Sequence, residues 1–217
     1  MNFLFSSLGK KIQIAFSGIL LCLFLLLHLM NNLTLFIGSE LFNSMVQTLE
    51  SIKPIIRIME FSLLMIFIMH IFNGIQVTIS NKKAALSKKA ESSTSSLNSR
   101  TMIITGMTIL AFIIIHLRYL WYTYQAHTFL ENETYYDVIL RNQLGFLGHT
   151  PTAIFYIISI ILIGFHLNHG FQSALKTFGI SPSSRWNILY KISFIFWGLI
   201  PSLFIIIVLA IQMGYIK

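Results

Sequence analysis

Long apolar runs separated by short polar stretches are the main pattern along the chain. A helix that crosses a bilayer needs about 20 consecutive residues that are mostly apolar. Runs of this kind occur five times, and each predicts one transmembrane helix. The pattern therefore predicts an all-α membrane protein, a bundle of five transmembrane helices that forms a single domain over residues 1–217. The predicted helices cover residues 11–37, 53–79, 100–124, 151–178 and 188–215.

Prolines and glycines mark several of the predicted helix ends. Pro54 and Pro151 lie where a first helical turn tolerates a residue without an N–H group. Gly38 and Gly179 follow helical runs, as glycines at helix C-termini do. Residues 80–99 are polar, serine-rich and basic. This stretch is therefore expected to form a loop or an interfacial turn and not a span.

The composition agrees with a membrane location. Of the 217 residues, 55% are hydrophobic and 10% are charged, whereas a typical soluble domain has about 25% charged residues. The net charge of +8 comes mainly from short loops between apolar runs, so nucleic-acid binding is not expected. Cys22 is the single cysteine and excludes an intrachain disulfide. No cleavable signal peptide is expected, because the first apolar run is too long and lacks a small-residue cleavage site.

The basic residues also predict an orientation. Of the 15 lysines and arginines, ten lie at the N-terminus, in the second loop or in the fourth loop, and six of the 7 acidic residues lie on the opposite side. Cytoplasmic loops of membrane proteins carry an excess of lysine and arginine. The N-terminus is therefore predicted to lie in the cytoplasm and the C-terminus outside.

One histidine lies deep in each of the first four predicted helices. An unpartnered polar group in hydrocarbon costs several kcal/mol, so an intramembrane histidine is a candidate functional residue. Residue counts place His28 and His116 nearer the outer face, and His70 and His166 nearer the cytoplasmic face. At about 1.5 Å rise per residue, the four histidines form two pairs at two depths, about 10–15 Å apart along the membrane normal.

Each histidine pair predicts one haem. Two opposed imidazoles from facing helices can bind a haem iron on both sides, which leaves no site for oxygen and makes the haem an electron carrier. Small residues near the histidines would let a flat macrocycle approach the backbone, although they also let helices pack closely in lipid. These small residues are Ser17, Gly18, Gly74, Gly106, Gly164 and Gly170.

The histidines are also compatible with roles that involve no haem, and one ligand position has two candidates. Each ring could hydrogen-bond to a neighbouring helix, and His169, three residues after His166, could be the ligand instead. Zinc is disfavoured because no third close ligand accompanies either pair. A transporter that uses intramembrane histidines for metal ions or protons is a rival, but the sequence has neither inverted repeats nor paired broken helices. His127 and His149 fall in an outer loop, where solvated histidines are the default.

Four charged residues are candidates for accessory roles. Glu60 is the one carboxylate inside a predicted helix, and Glu50 lies in the outer loop after the first helix. Either could relay the protons that a quinone exchanges, although an interfacial acid at a helix end is the simpler interpretation of each. Arg118 and Lys176 could pair with haem propionates. Snorkelling to the interface accounts for Lys176 equally well, and for Arg118 in part.

Four stretches of the sequence resemble a known family. They are SSLGKKIQIAFSGILLCLFLLLHLMNNLTLFIGSELFN in the first helix, HIFNGIQVTISNKKA at the end of the second, SRTMIITGMTILAFIIIHLRYLWY in the third and GFHLNHGFQSALKTFG in the fourth. They are similar to the cytochrome b membrane subunit of bacterial succinate dehydrogenase/fumarate reductase, in its single-polypeptide type with five helices and two haems. The similarity runs from about Ser6 to Gly179.

The resemblance implies two b haems and a set of ligands. His28 and His116 would bind the distal haem, and His70 and His166 would bind the proximal haem. His169 would lie outside the usual ligand position. The chain would then carry electrons between an iron–sulfur subunit and a membrane quinone, menaquinone or another, and would not itself hold the succinate or fumarate site.

The resemblance also implies partners and a location. A flavoprotein subunit with covalent FAD and an iron–sulfur subunit with three clusters would dock on the cytoplasmic face, where the basic loops would meet them. The expected location is the bacterial cytoplasmic membrane, with lipid around a multi-pass chain.

Some features stay open within this resemblance. Some members of the family have a carboxylate beside the ligand of the fourth helix, but Gly164 and Phe165 precede His166 here and that helix has no acid. The sequence therefore leaves open whether a proton path is coupled to transmembrane electron flow. A rival is the b-type anchor of another dehydrogenase, such as formate dehydrogenase or a hydrogenase. The direction of the reaction and the oligomeric state, a higher oligomer of the complex included, are open.

Overall fold

The structure is a computed structural model, and it describes residue 3 and residues 6–87, 97–180 and 187–217. These residues form a succession of α-helices with short connections, and a 3₁₀ turn (Thr34–Phe36) follows the first helix. The helices are α1 (Ser7–Leu33), α2 (Ser39–Ser51), α3 (Lys53–Ser87), α4 (Leu97–His116), α5 (Tyr122–Gln125), α6 (Tyr135–Leu140), α7 (Thr150–Thr177), α8 (Asn187–Phe194) and α9 (Ile200–Gln212).

Five helical spans in the described part of the chain are long and apolar enough to cross a membrane. Two of them contain a π-helical turn: Leu117–Trp121 joins α4 to α5, and Ile195–Leu199 joins α8 to α9. The prediction of an all-α fold with five transmembrane helices is therefore confirmed. The spans are Ser7–Phe36, Lys53–Lys83, Thr101–Gln125, Thr150–Thr177 and Ile188–Gln212.

The second helix is longer than the sequence pattern predicts. Residues 80–87, part of the stretch predicted to be a loop or an interfacial turn, continue α3 to Ser87, so that prediction is wrong for them. Lysine, alanine and leucine are favourable helix formers, so the polar composition ends the span without ending the helix. Residues 88–96 lie outside the described residues, and α4 begins at Leu97.

The proline and glycine positions mostly behave as predicted. Pro54 and Pro151 each lie in the first turn of a helix, α3 and α7. Gly179 follows α7 with φ at 77°, the left-handed conformation that glycine adopts without strain. Gly38 has φ at 129° and lies between the 3₁₀ turn and α2, whose N-cap it forms. It therefore turns the chain from the first span into a second helix.

The helices α1 and α7 form the centre of the bundle. α1 packs against α3, α7 and α9, and α7 packs in addition against α4. Among the described residues, α3 and α4 do not pack extensively on each other. The first four spans therefore pack in the order α3, α1, α7 and α4, and the last span packs on both α1 and α7.

Gly164 allows α7 to approach the last span closely. A Cβ atom at this position would lie 3.0 Å from the carbonyl oxygen of Trp197. Pro201 lies four residues after Trp197 and has no N–H with which to bond that oxygen. The sequence leaves two roles open for the small residues: room for a macrocycle and close helix packing. For Gly164 the role is therefore close helix packing.

A cap closes the end of the bundle that carries α2 and α6, which we call the outer end after its predicted orientation. A buried apolar cluster joins α2 and α6 to α1, α7 and α9, and burying such surface stabilises the contact. Within the cap, the Arg141 guanidinium binds both carboxylate oxygens of Glu133. Their side chains are only 10% and 7% exposed, and this bond holds the pKa of Glu133 below its ordinary value. The Tyr136 N–H donates to Asn43 of α2 at 2.9 Å, so the cap is held by polar contacts as well.

Candidate functional site: four intramembrane histidines

His28 on α1 and His116 on α4 lie in contact in the outer half of the bundle. Their ring centroids are 5.8 Å apart, and the ring planes are nearly perpendicular, at 87°. The two residues are 88 positions apart in the sequence, so only the packing of α1 and α4 around α7 brings them together. They supply two imidazoles from facing helices, which we call the distal pair.

Aromatic side chains surround the distal pair. Phe24 stacks on the His28 ring with 5.6 Å between centroids, and Phe204 of the last span lies 5.7 Å away. Phe112 lies 5.7 Å from the His116 ring. These rings give the two imidazoles a mainly aromatic environment. Two polar groups also approach: the Tyr156 hydroxyl lies 3.4 Å from Nδ1 of His116, and the Asn32 amide lies 3.4 Å from Nε2 of His28.

His70 on α3 and His166 on α7, which the sequence predicts to share one depth, are called here the proximal pair. Each is hydrogen-bonded through Nδ1 to a hydroxyl group of a neighbouring helix: Ser17 on α1 lies 3.0 Å from His70, and Thr105 on α4 lies 3.1 Å from His166. A histidine whose Nδ1 is engaged in this way presents Nε2 as its free nitrogen.

Glycines adjoin both hydroxyl groups. A Cβ atom at Gly18 would lie 3.4 Å from Cε1 of His70, and one at Gly106 would lie 3.6 Å from Cε1 of His166. These are ordinary contact distances, so each glycine leaves room for about one methyl group beside a ring edge. A Cβ atom at Gly74 would meet nothing within 4 Å, and one at Gly170 would only reach a methionine side chain at 4.0 Å.

Hydropathy does not reveal the role of Thr105, but the sequence spacing contains a signal for it. A hydroxyl residue and a glycine precede the histidine in both outward-running helices, as SGILLCLFLLLH and TGMTILAFIIIH. The hydroxyl lies 11 positions before the histidine in each. Eleven residues are close to three helical turns of 3.6 residues, so both groups lie on one face of the helix.

The side chains present fit a macrocyclic iron cofactor. In the described part of the chain, no three histidine, cysteine or acidic side chains come close enough to hold a metal ion together. The available donor sets are pairs of imidazoles in apolar surroundings. A pair suits an iron that takes two axial ligands from the protein and its other ligands from a porphyrin.

The remaining predicted site residues lie apart from the two pairs or at their edges. His169 is half-buried on α7, one turn beyond His166. Lys176 itself is exposed. Arg118 is also exposed, and its guanidinium lies 4.9 Å from the ring centroid of Tyr122. Pairing of Arg118 and Lys176 with propionates remains a prediction.

Glu60 belongs to a polar cluster that joins the outer ends of α3 and the third span. Its carboxylate accepts from Arg57 at 2.7 Å and from the indole N–H of Trp121 at 2.9 Å. Arg57 also donates to the side-chain oxygen of Gln125 at 2.5 Å. The cluster therefore connects two helices that otherwise pack little on each other, and the cation compensates the charge of Glu60.

Glu50 lies in the cap, at the end of α2. The Tyr135 hydroxyl donates to its carboxylate at 2.5 Å, Lys53 lies 3.3 Å away and His127 lies 3.9 Å away. The hydrogen bond from Tyr135 is the main reason why the pKa of Glu50 is below its ordinary value. Burial, reinforced by the carboxylate, raises the pKa of Tyr135 to about 12. His127, predicted to be a solvated loop residue, is exposed but lies within reach of Glu50.

Removing the Tyr135 hydroxyl is expected to raise the pKa of Glu50. Glu50 has a lowered pKa in the folded protein, so its contact stabilises the cap above the ordinary glutamate pKa of about 4.3, and this contribution is lost as pH falls through the lowered value. As the pH is lowered through the acid range, the protection of the α2 and α6 amides from hydrogen exchange should therefore fall less in Tyr135→Phe than in the wild type. Tyr215→Phe, at an exposed position of the same end, is the control. An unchanged pH dependence in Tyr135→Phe would contradict this assignment.

Comparison with known proteins points to one family. Residues 12–98 match the family described as succinate dehydrogenase/fumarate reductase transmembrane subunit. This range contains His28 and His70, whereas His116 and His166 lie beyond it. Comparisons with curated proteins and with solved structures give no match. Over its first two spans, the chain therefore resembles the transmembrane subunits of succinate dehydrogenase and fumarate reductase.

Proposed function

We propose that this chain is the dihaem cytochrome b membrane anchor of a bacterial succinate:quinone oxidoreductase. It would pass electrons between an iron–sulfur subunit and a membrane quinone, in the direction of succinate oxidation or of fumarate reduction. The observation that carries the proposal is the ring contact between His28 and His116 of two different spans. His70 and His166 lie on the other two histidine-bearing spans, each beside a hydroxyl group. The family match over the first two spans supports the same function.

In this proposal the histidine pairs are the cofactor ligands. His28 and His116 would hold the distal haem, and His70 and His166 the proximal one. A bis-histidine haem supplies one-electron transfer and no open coordination site. The chain's part is to hold the four imidazoles in place, with aromatic side chains around the distal pair and hydroxyl groups beside the proximal pair. Arg118 and Lys176 would pair with the propionates at the edges of the bundle.

Quinone chemistry would take place at the outer end, near the distal pair. A quinone that takes up two electrons also takes up two protons, so a carboxylate that exchanges protons with water is needed there. Glu50 and Glu60 are the candidates. Each has a basic neighbour, Lys53 for Glu50 and Arg57 for Glu60. We favour Glu50, because Tyr135 and His127 also give it neighbours with exchangeable protons.

The soluble partners would dock at the opposite end of the bundle. Lysines 11, 82 and 83 are exposed there, and they would meet the iron–sulfur subunit, which with the flavoprotein subunit carries the succinate chemistry. Basic residues of this kind mark the cytoplasmic side of a membrane protein. This arrangement would place the complex in the bacterial cytoplasmic membrane.

The haem content of the purified chain tests the proposal. The chain is expressed together with its soluble partner subunits and purified in detergent, and its haem is measured as the pyridine haemochrome. We expect two b haems per chain, reducible by succinate. Haems that are reduced by formate or hydrogen and not by succinate would indicate an anchor of another dehydrogenase. A folded chain without haem would contradict electron transfer and favour a transporter that uses the histidines for metal ions or protons.

A further inference from the structure

We infer that Ser17 and Thr105 are positioning residues that fix the tautomer and the ring rotation of His70 and His166. The inference rests on the proposed function, because it concerns the nitrogen atoms that would bind the proximal haem. It assigns a role to two buried hydroxyl groups in the first and third spans.

The contacts of Ser17 determine which atom carries each proton. Its side chain is fully buried, and its oxygen lies 2.7 Å from the Gln13 carbonyl, 3.1 Å from the Ile14 carbonyl and 3.0 Å from Nδ1 of His70. A hydroxyl has one proton to donate. Carbonyl oxygens can only accept it, so the serine oxygen, with the Ile14 carbonyl beside it, is left to accept the proton of Nδ1. His70 is therefore protonated at Nδ1, and its Nε2 carries the free lone pair.

Thr105 repeats this arrangement on a different helix. Its side chain is 7% exposed, and its oxygen lies 2.9 Å from the Thr101 carbonyl, 3.1 Å from the Met102 carbonyl and 3.1 Å from Nδ1 of His166. The same argument gives His166 a proton on Nδ1 and a free Nε2. Both proximal histidines are thus prepared to bind a metal through the same atom.

A hydroxyl that bonds the carbonyl four residues earlier is common in membrane helices and is not by itself informative. Ser62 and Thr108 make only that bond in the described contacts. Ser17 and Thr105 differ because each also reaches the ring nitrogen of a histidine on another helix. Since both lie 11 positions before a distal histidine, α1 and α4 each carry a ligand for one pair and a hydroxyl for the other.

The hydrogen bond has a consequence for the redox potential. A histidine that donates its Nδ1 proton to an acceptor is a more basic ligand through Nε2. A more basic ligand stabilises the oxidised iron relative to the reduced iron, which lowers the midpoint potential. Removal of either hydroxyl should therefore raise the potential of one haem and leave the other unchanged.

Redox titration of the purified complex tests the inference. Ser17→Ala and Thr105→Val should shift the midpoint potential of the same haem upwards, and the double variant should shift it further. The conservative variants Ser17→Thr and Thr105→Ser keep the hydroxyl and should restore the wild-type potential. Thr108→Val, on the same helix as Thr105, is the matched control. Unchanged potentials in Ser17→Ala and Thr105→Val, with both haems present, would overturn the inference while leaving the proposed function intact.

A second measurement does not require haem. The ¹⁵N NMR spectrum of histidine-labelled protein distinguishes the two ring tautomers, and in the chain prepared without haem His70 and His166 should carry their proton on Nδ1. Ser17→Ala should alter the signals of His70, and Thr105→Val those of His166. This spectrum tests the inference even if the wild-type chain contains no haem or a variant loses its haem. Unaltered histidine signals in both variants would overturn the inference.

Discussion

Replacement of His28 by alanine is expected to leave one haem per chain where the wild type has two. The alanine removes one imidazole of the distal pair, and His116 alone cannot supply both axial ligands. The proximal haem would be held by His70 and His166 instead, so it should stay. The pyridine haemochrome assay measures the loss directly, and the redox spectrum identifies which component is missing.

The pairing makes the remaining single substitutions predictable. His116→Ala should lose the same spectral component as His28→Ala, and His70→Ala and His166→Ala should both lose the other component. His169→Ala, one turn beyond His166, is the matched control and should keep both haems. If His169→Ala lost a haem and His166→Ala did not, the ligand assignment on α7 would be wrong.

An alanine at Gly148 is expected to destabilise the outer cap strongly. A Cβ atom there would overlap the carbonyl oxygen of Leu140 and lie 2.8 Å from that of Arg141. Both oxygens belong to the backbone at the end of α6, so they cannot move away as a flexible side chain would. We expect a loss of about 3 kcal/mol in the free energy of unfolding, at the upper end of what overpacking costs. Unfolding of the detergent-solubilised protein by denaturant measures it.

Gly74→Ala provides the comparison for this prediction. Gly74 lies within α3, and a Cβ atom at that position would meet nothing within 4 Å. Alanine is better than glycine in a helix by about 0.5–1 kcal/mol, so this variant should be as stable as the wild type or slightly more stable. A Gly148→Ala protein with wild-type stability would show that the end of α6 can shift without cost.

The sequence by itself was sufficient to predict the five spans. In lipid every backbone polar group has to be bonded within the chain, so a long apolar run has little alternative to a helix. The constant rise per residue then gives each histidine a depth. For this reason the sequence predicts that His28 and His116 share one depth, and their ring contact agrees with it.

The continuation of α3 to Ser87 was not predictable from hydropathy. Hydropathy reports where a segment leaves the apolar layer, whereas a helix ends only where its hydrogen bonds or its propensity fail. Residues 80–87 are polar but contain good helix formers, so the span and the helix end at different places.

Only the tertiary structure decided which groups contact the histidines and the carboxylates. The hydroxyls of Ser17 and Thr105 reach His70 and His166 across more than 50 positions of sequence, and Tyr135 reaches Glu50 across 85. Apolar periodicity determines which face of a helix is buried, but it does not determine which neighbour that face meets. The sequence therefore determined the helices and the depth of their histidines, and the packing of the helices determined the hydrogen bonds that set the chemistry of each ring.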